Sequence, residues 1–389
     1  MATSAKPIRR VVTGNDQQGR SRVMWDGAAP NVRIPSAGAN PVVDLWIWNK
    51  SSAPLGGDHD DGNLPYDFPG PRGGGHLRIV QQPGGRPAGY DPAKDARFMV
   101  AHPPKERPEG RTWDRGDRNV YTSDMHKTET VDYAILLEGQ RDLVLDDVGA
   151  ISTRPGDMII QVGAYHQWTS PREGGIMLYD MIAARFVDGP VGLAQGNDPV
   201  LSADRNRKLP DGVKPVRRIV TIDKEAGKGC LVTEGPSPDV RFDPARPGFA
   251  STRLWVTDGT PAKIVFETLH LPHTIEPPAG GSVLRVVTVP PDANWKGKVG
   301  APEVHAFFRA MGSPAASTYS PQAPHPYMQK TRTLDFCIVQ EGEVVLVLDA
   351  QEVRLKAGDI VIQRGTNHAW SNRTNNPAVI AIASHDGTW

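Results

Sequence analysis

Apolar positions along this chain come in short runs that are separated by turns. Residues 133–137 and 143–147 flank a turn at Gly139, and residues 336–339 and 344–348 flank a turn at Gly342. Glycine suits such turns because it adopts a positive φ without steric cost. Many short apolar runs joined by glycine turns predict an all-β chain built from antiparallel barrels or jelly rolls.

Two further strands are predicted at residues 158–161 and 360–363, each opened by a Gly-Asp turn and each ending a few residues before a histidine. One helix is predicted over residues 302–311, because apolar side chains recur there at helical spacing. A proline at residue 302 suits the first turn of that helix.

The pattern is written twice. Residues 125–139 return as 328–342, and residues 155–168 return as 357–370, about 200 positions later. The repeat reaches upstream, where residues 9–13 return as 217–221. A period this long predicts two tandem domains, over residues 1–200 and 210–389, packed as a pseudo-dimer. The join is predicted near residues 198–216.

Composition narrows the possible classes of protein. A chain of 389 residues is long enough for two domains, each with its own core. The formal net charge is +0 and the charges are interspersed, which argues against a nucleic-acid partner. No apolar run approaches the roughly 20 residues of a membrane span, and no secretory signal is visible. Two cysteines form no disulfide framework. A cytoplasmic location is expected.

The repeated residues resemble the motifs of the cupin superfamily, and the duplication resembles a bicupin. In the first copy Asp132 stands in the place of the motif-1 glutamate, six residues before Gly139. His126 and Thr128 fall at the two histidine positions of that motif. His166 falls at the histidine of the second motif.

In the second copy the first motif is degraded further. Asp335 precedes Gly342, but Gln329 and Thr331 replace both histidines. The second motif is better kept, with matches at Gly358, Gly365, His368 and Asn372. The resemblance implies two tandem double-stranded β-helix (jelly-roll) cupin barrels with a few short helices. It carries less information about chemistry, because cupins host many activities.

The resemblance also implies a metal site in the first copy, formed by His126, Asp132 and His166. Two histidines and one carboxylate are the ligand set of non-haem Fe(II) oxygenases. The expected cofactor is a divalent metal, with Fe first and Zn, Mn or Ni left open. The alternative is a hydrogen-bonded Asp132–His166 pair without metal, since a buried carboxylate needs some partner.

In the second copy only Asp335 and His368 remain, and they are interpreted as an acid–base pair. Trp168 and Trp370 each follow a site histidine by two residues, which places them on the same face of a strand. We count them as candidate catalytic-site residues that wall a pocket for a flat or apolar ligand; core filling is the alternative.

Arg78 and Arg285 stand inside apolar strand segments of the two copies. A structural ion pair with a buried carboxylate is the favoured interpretation, and a clamp for an acidic substrate is the other. Residues 50–75 form either an ordered loop or a lid.

The sequence therefore predicts a bicupin enzyme acting on a small aromatic or carbonyl compound. The first hypothesis is metal-dependent dioxygenase chemistry in the N-terminal barrel. A lyase or isomerase reaction at the same metal is also predicted. The alternatives are a metal-poor binding protein and a metal-free lyase or isomerase that uses Asp335 and His368. The resemblance also implies that whole chains associate into a homo-oligomer.

Overall fold

A computed structural model describes residues 5–34, 40–65, 68, 70–83, 105–107, 110–114, 125–169, 173–185, 208–225 and 227–389. We call the described residues up to 185 the N-terminal half and those from 208 the C-terminal half. Residues 198–207 of the predicted join lie outside the described residues, so the exact division between the two domains stays a prediction.

The described part of the N-terminal half is built almost entirely from strands. They are β1 (Arg9–Asn15), β2 (Ser21–Ala28), β3 (Asn31–Arg33), β4 (Val42–Trp48), β5 (Ala53–Pro54), β6 (Gly75–Pro83), β7 (Lys105–Arg107), β8 (Gly110–Asp114), β9 (Lys127–Thr128), β10 (Thr130–Gly139), β11 (Arg141–Leu145), β12 (Gly149–Thr153), β13 (Met158–Val162), β14 (Gln167–Thr169) and β15 (Gly174–Arg185). One 3-10 turn lies at Asp61–Asn63.

The C-terminal half repeats this pattern, and its described residues include one α-helix. Its strands are β16 (Arg217–Glu225), β17 (Lys228–Pro236), β18 (Asp239–Phe242), β19 (Ala250–Thr257), β20 (Ala262–Lys263), β21 (Ser282–Val289), β22 (Thr333–Glu341), β23 (Glu343–Leu348), β24 (Glu352–Lys356), β25 (Ile360–Arg364), β26 (His368–Ser371) and β27 (Ala378–Thr388). The helix α1 covers Ala301–Ala310, and 3-10 turns lie at Asp292–Asn294, Lys296–Lys298 and Pro314–Ala316.

Each half closes as one large sheet facing a three-stranded sheet. Within the described residues the large sheets run β17-β16-β13-β10-β15-β6-β4-β3 and β18-β19-β21-β27-β22-β25-β1-β2, with β20 and β5 paired at β15 and β27. The small sheets are β12-β11-β14 and β24-β23-β26. This is the all-β double jelly roll that the turn pattern predicts, so the fold-class prediction is confirmed.

The two halves exchange strands. β1 runs parallel to β25 of the C-terminal half, with Val11 beside Val361. Reciprocally, β16 runs parallel to β13 of the N-terminal half, with Ile219 beside Ile159. This exchange explains why the sequence repeat reaches upstream of the motifs: the strand that opens each repeat completes the sheet of the other half.

The paired arginines that open each repeat hold the exchange in place. Arg9 and Arg217 bind the carboxylates of Asp359 and Asp157, which open strands of the receiving sheets, at 2.8 and 2.6 Å. The arginine that follows Arg217 instead binds a residue of its own half. Arg218 donates to both carboxylate oxygens of Glu267, at 2.9 and 2.6 Å, from a fully buried position.

Strand alternation sorts the side chains between two environments. On β10, Val131, Tyr133 and Ile135 join a core that both halves share. Ala134 and Leu136, on the other face, join the core inside the N-terminal barrel. Successive strand residues point to opposite faces, so Asp132 shares the inward face with Ala134.

The same alternation holds on β22. Phe336 joins the shared core, and Cys337 joins the core inside the C-terminal barrel. Asp335 therefore shares the inward face with Cys337.

The sequence predicts the local elements closely. The predicted helix is α1, which buries Val304, Phe307 and Phe308 against the C-terminal barrel. Gly139 and Gly342 both take positive φ, at 79° and 76°, as their turns require. Across the described residues, no helix has the length and apolar character needed to cross a membrane.

Candidate functional site

Asp132 lies on the inward face of β10 and is 3% exposed. One of its oxygens, Oδ1, has no hydrogen-bond partner. Burial raises the pKa of Asp132 to about 7, while a hydrogen bond with Thr130 and the charge of Arg78 act in the opposite direction. A buried carboxyl with this pKa is available in both protonation states near neutral pH.

His126 and His166 meet at the end of the same barrel. Their backbones exchange hydrogen bonds of 3.0 and 2.9 Å, and their rings lie 4.8 Å apart. The Nδ1 of His166 lies 2.8 Å from the carbonyl of Ala164. That contact fixes the proton on Nδ1 and leaves Nε2 with a free lone pair. Burial, together with the neighbouring His126, lowers the pKa of His166 to about 3, so the imidazole is neutral.

The structure therefore brings two of the three predicted metal ligands together and leaves the third apart. Among the described residues, no group of three His, Cys, Asp or Glu side chains is arranged to hold a metal ion. The imidazoles of His126 and His166 have suitable chemistry, but protein metal sites of this type use at least three protein ligands. The described residues thus do not fit a three-ligand metal centre.

In the C-terminal barrel a glutamine amide takes the place of the partner imidazole. The backbones of Gln329 and His368 exchange hydrogen bonds of 2.8 and 2.9 Å, as those of His126 and His166 do. The Nδ1 of His368 lies 2.9 Å from the carbonyl of Thr366. Its Nε2 lies 3.1 Å from the side-chain nitrogen of Gln329. The amide therefore donates to the lone pair that would otherwise bind a metal.

Asp335 and His368 influence each other inside this barrel. Burial lowers the pKa of His368, and the Asp335 carboxylate acts against that shift. Asp335 is 5% exposed, and its Oδ1 has no hydrogen-bond partner. Asp335 and His368 are thus buried neighbours that share no hydrogen bond within the described part of the chain, and their role as an acid–base pair stays a prediction.

Both tryptophans face the barrel interiors, as strand alternation predicts. Trp168 packs on the N-terminal interior core and lies edge-on to Tyr179, with ring centres 6.2 Å apart. Trp370 packs on the C-terminal interior core, 6.0 Å from the ring of His368. Neither indole N–H has a hydrogen-bond partner.

A cavity of about 60 Å³ lies inside the C-terminal barrel, under helix α1. Gln329 and Trp370 line it, whereas Asp335 and His368 are not among its lining residues. Polar groups at the wall also include Arg246, Arg285, Ser251 and Tyr327. An engineered cavity that admits benzene is about 150 Å³, so this cavity is too small for an aromatic ring.

The two equivalent arginines differ in their surroundings. Arg78 forms a buried ion pair with Asp44 at 2.8 Å, which agrees with the structural interpretation. Arg285 instead donates to the carbonyl of Ile275 at 2.9 Å and forms no salt bridge with any described residue. Burial lowers its pKa, against the charge of Asp335. Arg78 and Arg285 therefore have different partners, although the sequence places them at equivalent positions of the repeat.

Sequence reasoning missed three polar residues of the cavity wall. Arg246, Ser251 and Tyr327 come from outside both cupin-like motifs, and nothing in their local sequence marks them. Arg246 is bound to Asp243 at 2.7 Å, and its guanidinium stacks 3.5 Å from the ring centre of Tyr327. Only the folded barrel places them beside Gln329.

Part of the C-terminal barrel matches a known protein family. Residues 317–384 match the family model of the cupin domain. That stretch contains β22 to β26 and most of β27, and with them Gln329, Asp335 and His368.

Curated relatives match over a short stretch. The chain is 51% identical over 49 residues to phomopsin biosynthesis cluster protein C' of Diaporthe leptostromiformis, which is 12% of this chain and 26% of that protein. It is 41% identical over 59 residues to the cupin-domain-containing oxidoreductase virC of Hypocrea virens, which is 15% of this chain and 30% of that protein. The chain thus spans about a quarter of the length of the curated relatives that it matches.

Solved structures match over most of the chain at low identity. Quercetin 2,3-dioxygenase from Acinetobacter baumannii is 10% identical, with 92% of this chain and 84% of that chain covered and a TM-score of 0.34. Oxalate decarboxylase of Lactobacillus farciminis is 9% identical, with 100% and 88% covered and a TM-score of 0.34.

Proposed function

We propose that the chain is a cupin-type enzyme, because residues 317–384 match the cupin domain model and each half folds as a barrel. Its C-terminal barrel takes a small organic molecule and transfers a proton through His368. This proposal corresponds to the metal-free lyase or isomerase that the sequence predicts as an alternative. The small cavity favours a compact carbonyl compound over an aromatic one.

The contact between Gln329 and His368 carries this proposal. The Thr366 carbonyl holds the proton on Nδ1, and burial keeps the imidazole neutral, so Nε2 is a base. Gln329 is half-buried, lines the cavity and covers that nitrogen. A ligand that binds the Gln329 amide draws it away from His368 and opens Nε2 to the ligand's proton.

Asp335 and Trp370 support the same step. When His368 takes up a proton, the imidazolium is stabilised by the nearby carboxylate of Asp335, which favours the charged form of His368. The Trp370 indole lies beside the His368 ring and offers an N–H without a partner. Trp370 also lines the cavity in which we place the ligand.

Proton exchange tests the proposal directly. The full chain is incubated in D₂O, with a strong chelator, together with small carbonyl compounds of about three to six heavy atoms, both neutral and acidic. We expect deuterium to enter the position next to the carbonyl of at least one compound, as followed by NMR. Exchange should be lost in His368→Asn and kept in His325→Asn, which removes another buried histidine of the same half.

The opposite outcomes are equally clear. Exchange that stops on chelation would place the chemistry at a metal. Undiminished exchange in His368→Asn would remove His368 from the reaction. An ordered ligand in the barrel with no exchange would make the protein a binder rather than an enzyme.

Metal-dependent oxygenation in the N-terminal barrel is the second candidate, favoured by the facing imidazoles of His126 and His166. The described residues do not complete its ligand set, so we derive no step from it. Metal content of the purified chain and of His166→Ala tests it. Metal near one per chain that is lost in the variant would support this candidate, and metal that persists would refute it.

Association of whole chains into a homo-oligomer is also proposed, from the resemblance to other bicupins. Light scattering on the purified protein measures it. A mass of 42.2 kDa at all concentrations would contradict it.

A further inference from the structure

The C-terminal cavity is lined by hydrogen-bond donors that have no partner among the described residues. Ser251 is 1% exposed and its hydroxyl has no hydrogen-bond partner. The indole N–H of Trp370 is likewise without one. Buried polar groups are almost always paired, so unpaired donors at a cavity wall indicate a ligand or ordered water that completes them.

Arg285 adds a positive charge at the same wall. It is 7% exposed, and its hydrogen bond to the Ile275 carbonyl leaves most of its five N–H donors for other partners. A guanidinium stays protonated even when it is buried, so the charge cannot be removed by loss of a proton. Asp335 acts on this charge from a distance, without a salt bridge.

Arg246 is a second positive charge at the cavity wall, but it is already paired with a carboxylate. Its Nε donates to Asp243 at 2.7 Å, and the guanidinium carbon lies over the rings of Tyr327 and Phe249, 3.5 and 3.9 Å from their centres. The pair is therefore held rigidly at the cavity wall. Asp243 neutralises Arg246, so Arg285 is the cation of this wall that has no salt bridge to a carboxylate among the described residues.

From these contacts we infer that the C-terminal cavity binds a small organic carboxylate, with its oxygens on the guanidinium of Arg285 and the hydroxyl of Ser251. Arg285 and Ser251 lie on the adjacent strands β21 and β19, where Ser251 pairs with Val287 and Arg253 pairs with Arg285. A guanidinium fork matches the two oxygens of a carboxylate. This inference rests on the proposed function of the C-terminal barrel and gives the class of its ligand.

The size of the cavity limits the rest of the ligand. At about 60 Å³ it has room for roughly four to six water molecules, if each needs about 10–15 Å³. A carboxylate with one or two further heavy atoms fills that space. We therefore expect acetate and propionate to fit and benzoate to be excluded.

Calorimetric titration of the full chain tests the inference, with acetate, propionate, benzoate and acetamide as probes. Acetamide has nearly the shape of acetate without its charge. We expect acetate to bind at least about tenfold more tightly than acetamide, because a charged hydrogen bond to Arg285 is lost. Binding should weaken at least about tenfold in Arg285→Met and less in Arg285→Lys, which keeps the charge but not the fork.

Arg332→Met is the matched control, because Arg332 is exposed and lies outside the cavity. Acetate affinity should be unchanged in that variant. Equal binding of acetate and acetamide, undiminished binding in Arg285→Met, or no acetate binding at all would overturn the inference. Those outcomes leave the proton-transfer proposal standing if a neutral carbonyl compound still undergoes His368-dependent exchange.

Discussion

The side-chain nitrogen of Gln329 lies 3.1 Å from Nε2 of His368, at the position where the N-terminal half sets His126 against His166. This substitution of glutamine for histidine is one of the differences between the two barrels. The ring of the motif histidine lies 4.8 Å from a second imidazole in one barrel and beside an amide donor in the other.

Removing this amide should destabilise the C-terminal barrel. In Gln329→Leu, the buried Nε2 of His368 loses its donor, which costs about 1–3 kcal/mol of the free energy of unfolding. Urea denaturation measures the loss. Gln351→Leu, at an exposed position, should change stability by less than about 0.5 kcal/mol. Equal stability of the wild type and Gln329→Leu would show that the contact is not formed.

The equivalent arginines should respond oppositely to the same substitution. Arg78→Met leaves the fully buried Asp44 without its buried cationic partner and should cost about 3 kcal/mol or more of the free energy of unfolding. Arg285→Met removes a buried charge that has no carboxylate partner and should stabilise the protein by about 1 kcal/mol. Parallel urea denaturation of both variants decides this. A comparable loss in Arg285→Met would mean that Arg285 is a structural ion-pair residue after all.

The exchanged strands should depend on the buried pair of Arg218 and Glu267. Their side chains are 2% and 8% exposed, so Glu267→Gln leaves a desolvated guanidinium with only a neutral partner. We expect a loss of about 3 kcal/mol in the free energy of unfolding. The exposed pair of Lys263 and Asp258 serves as control, and Lys263→Ala should change stability by no more than about 1 kcal/mol. Similar losses in the two variants would contradict the role assigned to the buried pair.

Acid should destabilise the fold partly through His325. Burial, with the nearby Lys296, lowers the pKa of this histidine from 6.5 to about 3. Below pH 6.5 His325 is therefore protonated in the unfolded chain but not in the folded chain. The free energy of unfolding consequently falls as the pH falls. The contribution should reach about 2 kcal/mol between pH 6.5 and 4.5.

The measurement is the difference between the wild type and His325→Asn in urea denaturation at several pH values. The variant should lose less stability than the wild type over that range. Identical pH dependence of the two proteins would show that His325 takes up its proton in the folded state.

The local elements of this fold could be predicted from the sequence because they depend on neighbouring residues. Glycine turns and apolar runs mark β10, β22 and β25, and helical spacing marks α1. The inward direction of Asp132 and Asp335 follows from strand alternation alone. Strand exchange could not be predicted in this way, although the upstream repeat around Arg9 and Arg217 was visible, because the receiving strand lies far away in the chain.

In the candidate site, too, the features that depend on neighbouring residues were predictable and those that depend on distant residues were not. The motif residues His166 and His368 were found because their spacing is fixed by one turn and one strand. Whether Asp132 meets His126 depends on how two strands are set across the barrel. The cavity depends on Arg246 and Ser251, just before and at the start of β19, and on Arg285 of β21, which comes from a separate segment. The different states of Arg78 and Arg285 are decided by distant residues, since only the first has Asp44 beside it.

A crystal structure of the full chain, grown with acetate and a strong chelator, tests the central claim most directly. The account predicts a carboxylate in the C-terminal barrel within hydrogen-bond distance of Arg285 and Ser251, on the cavity side of Gln329. A metal ion bound at His368, or acetate bound only outside this cavity, would contradict it.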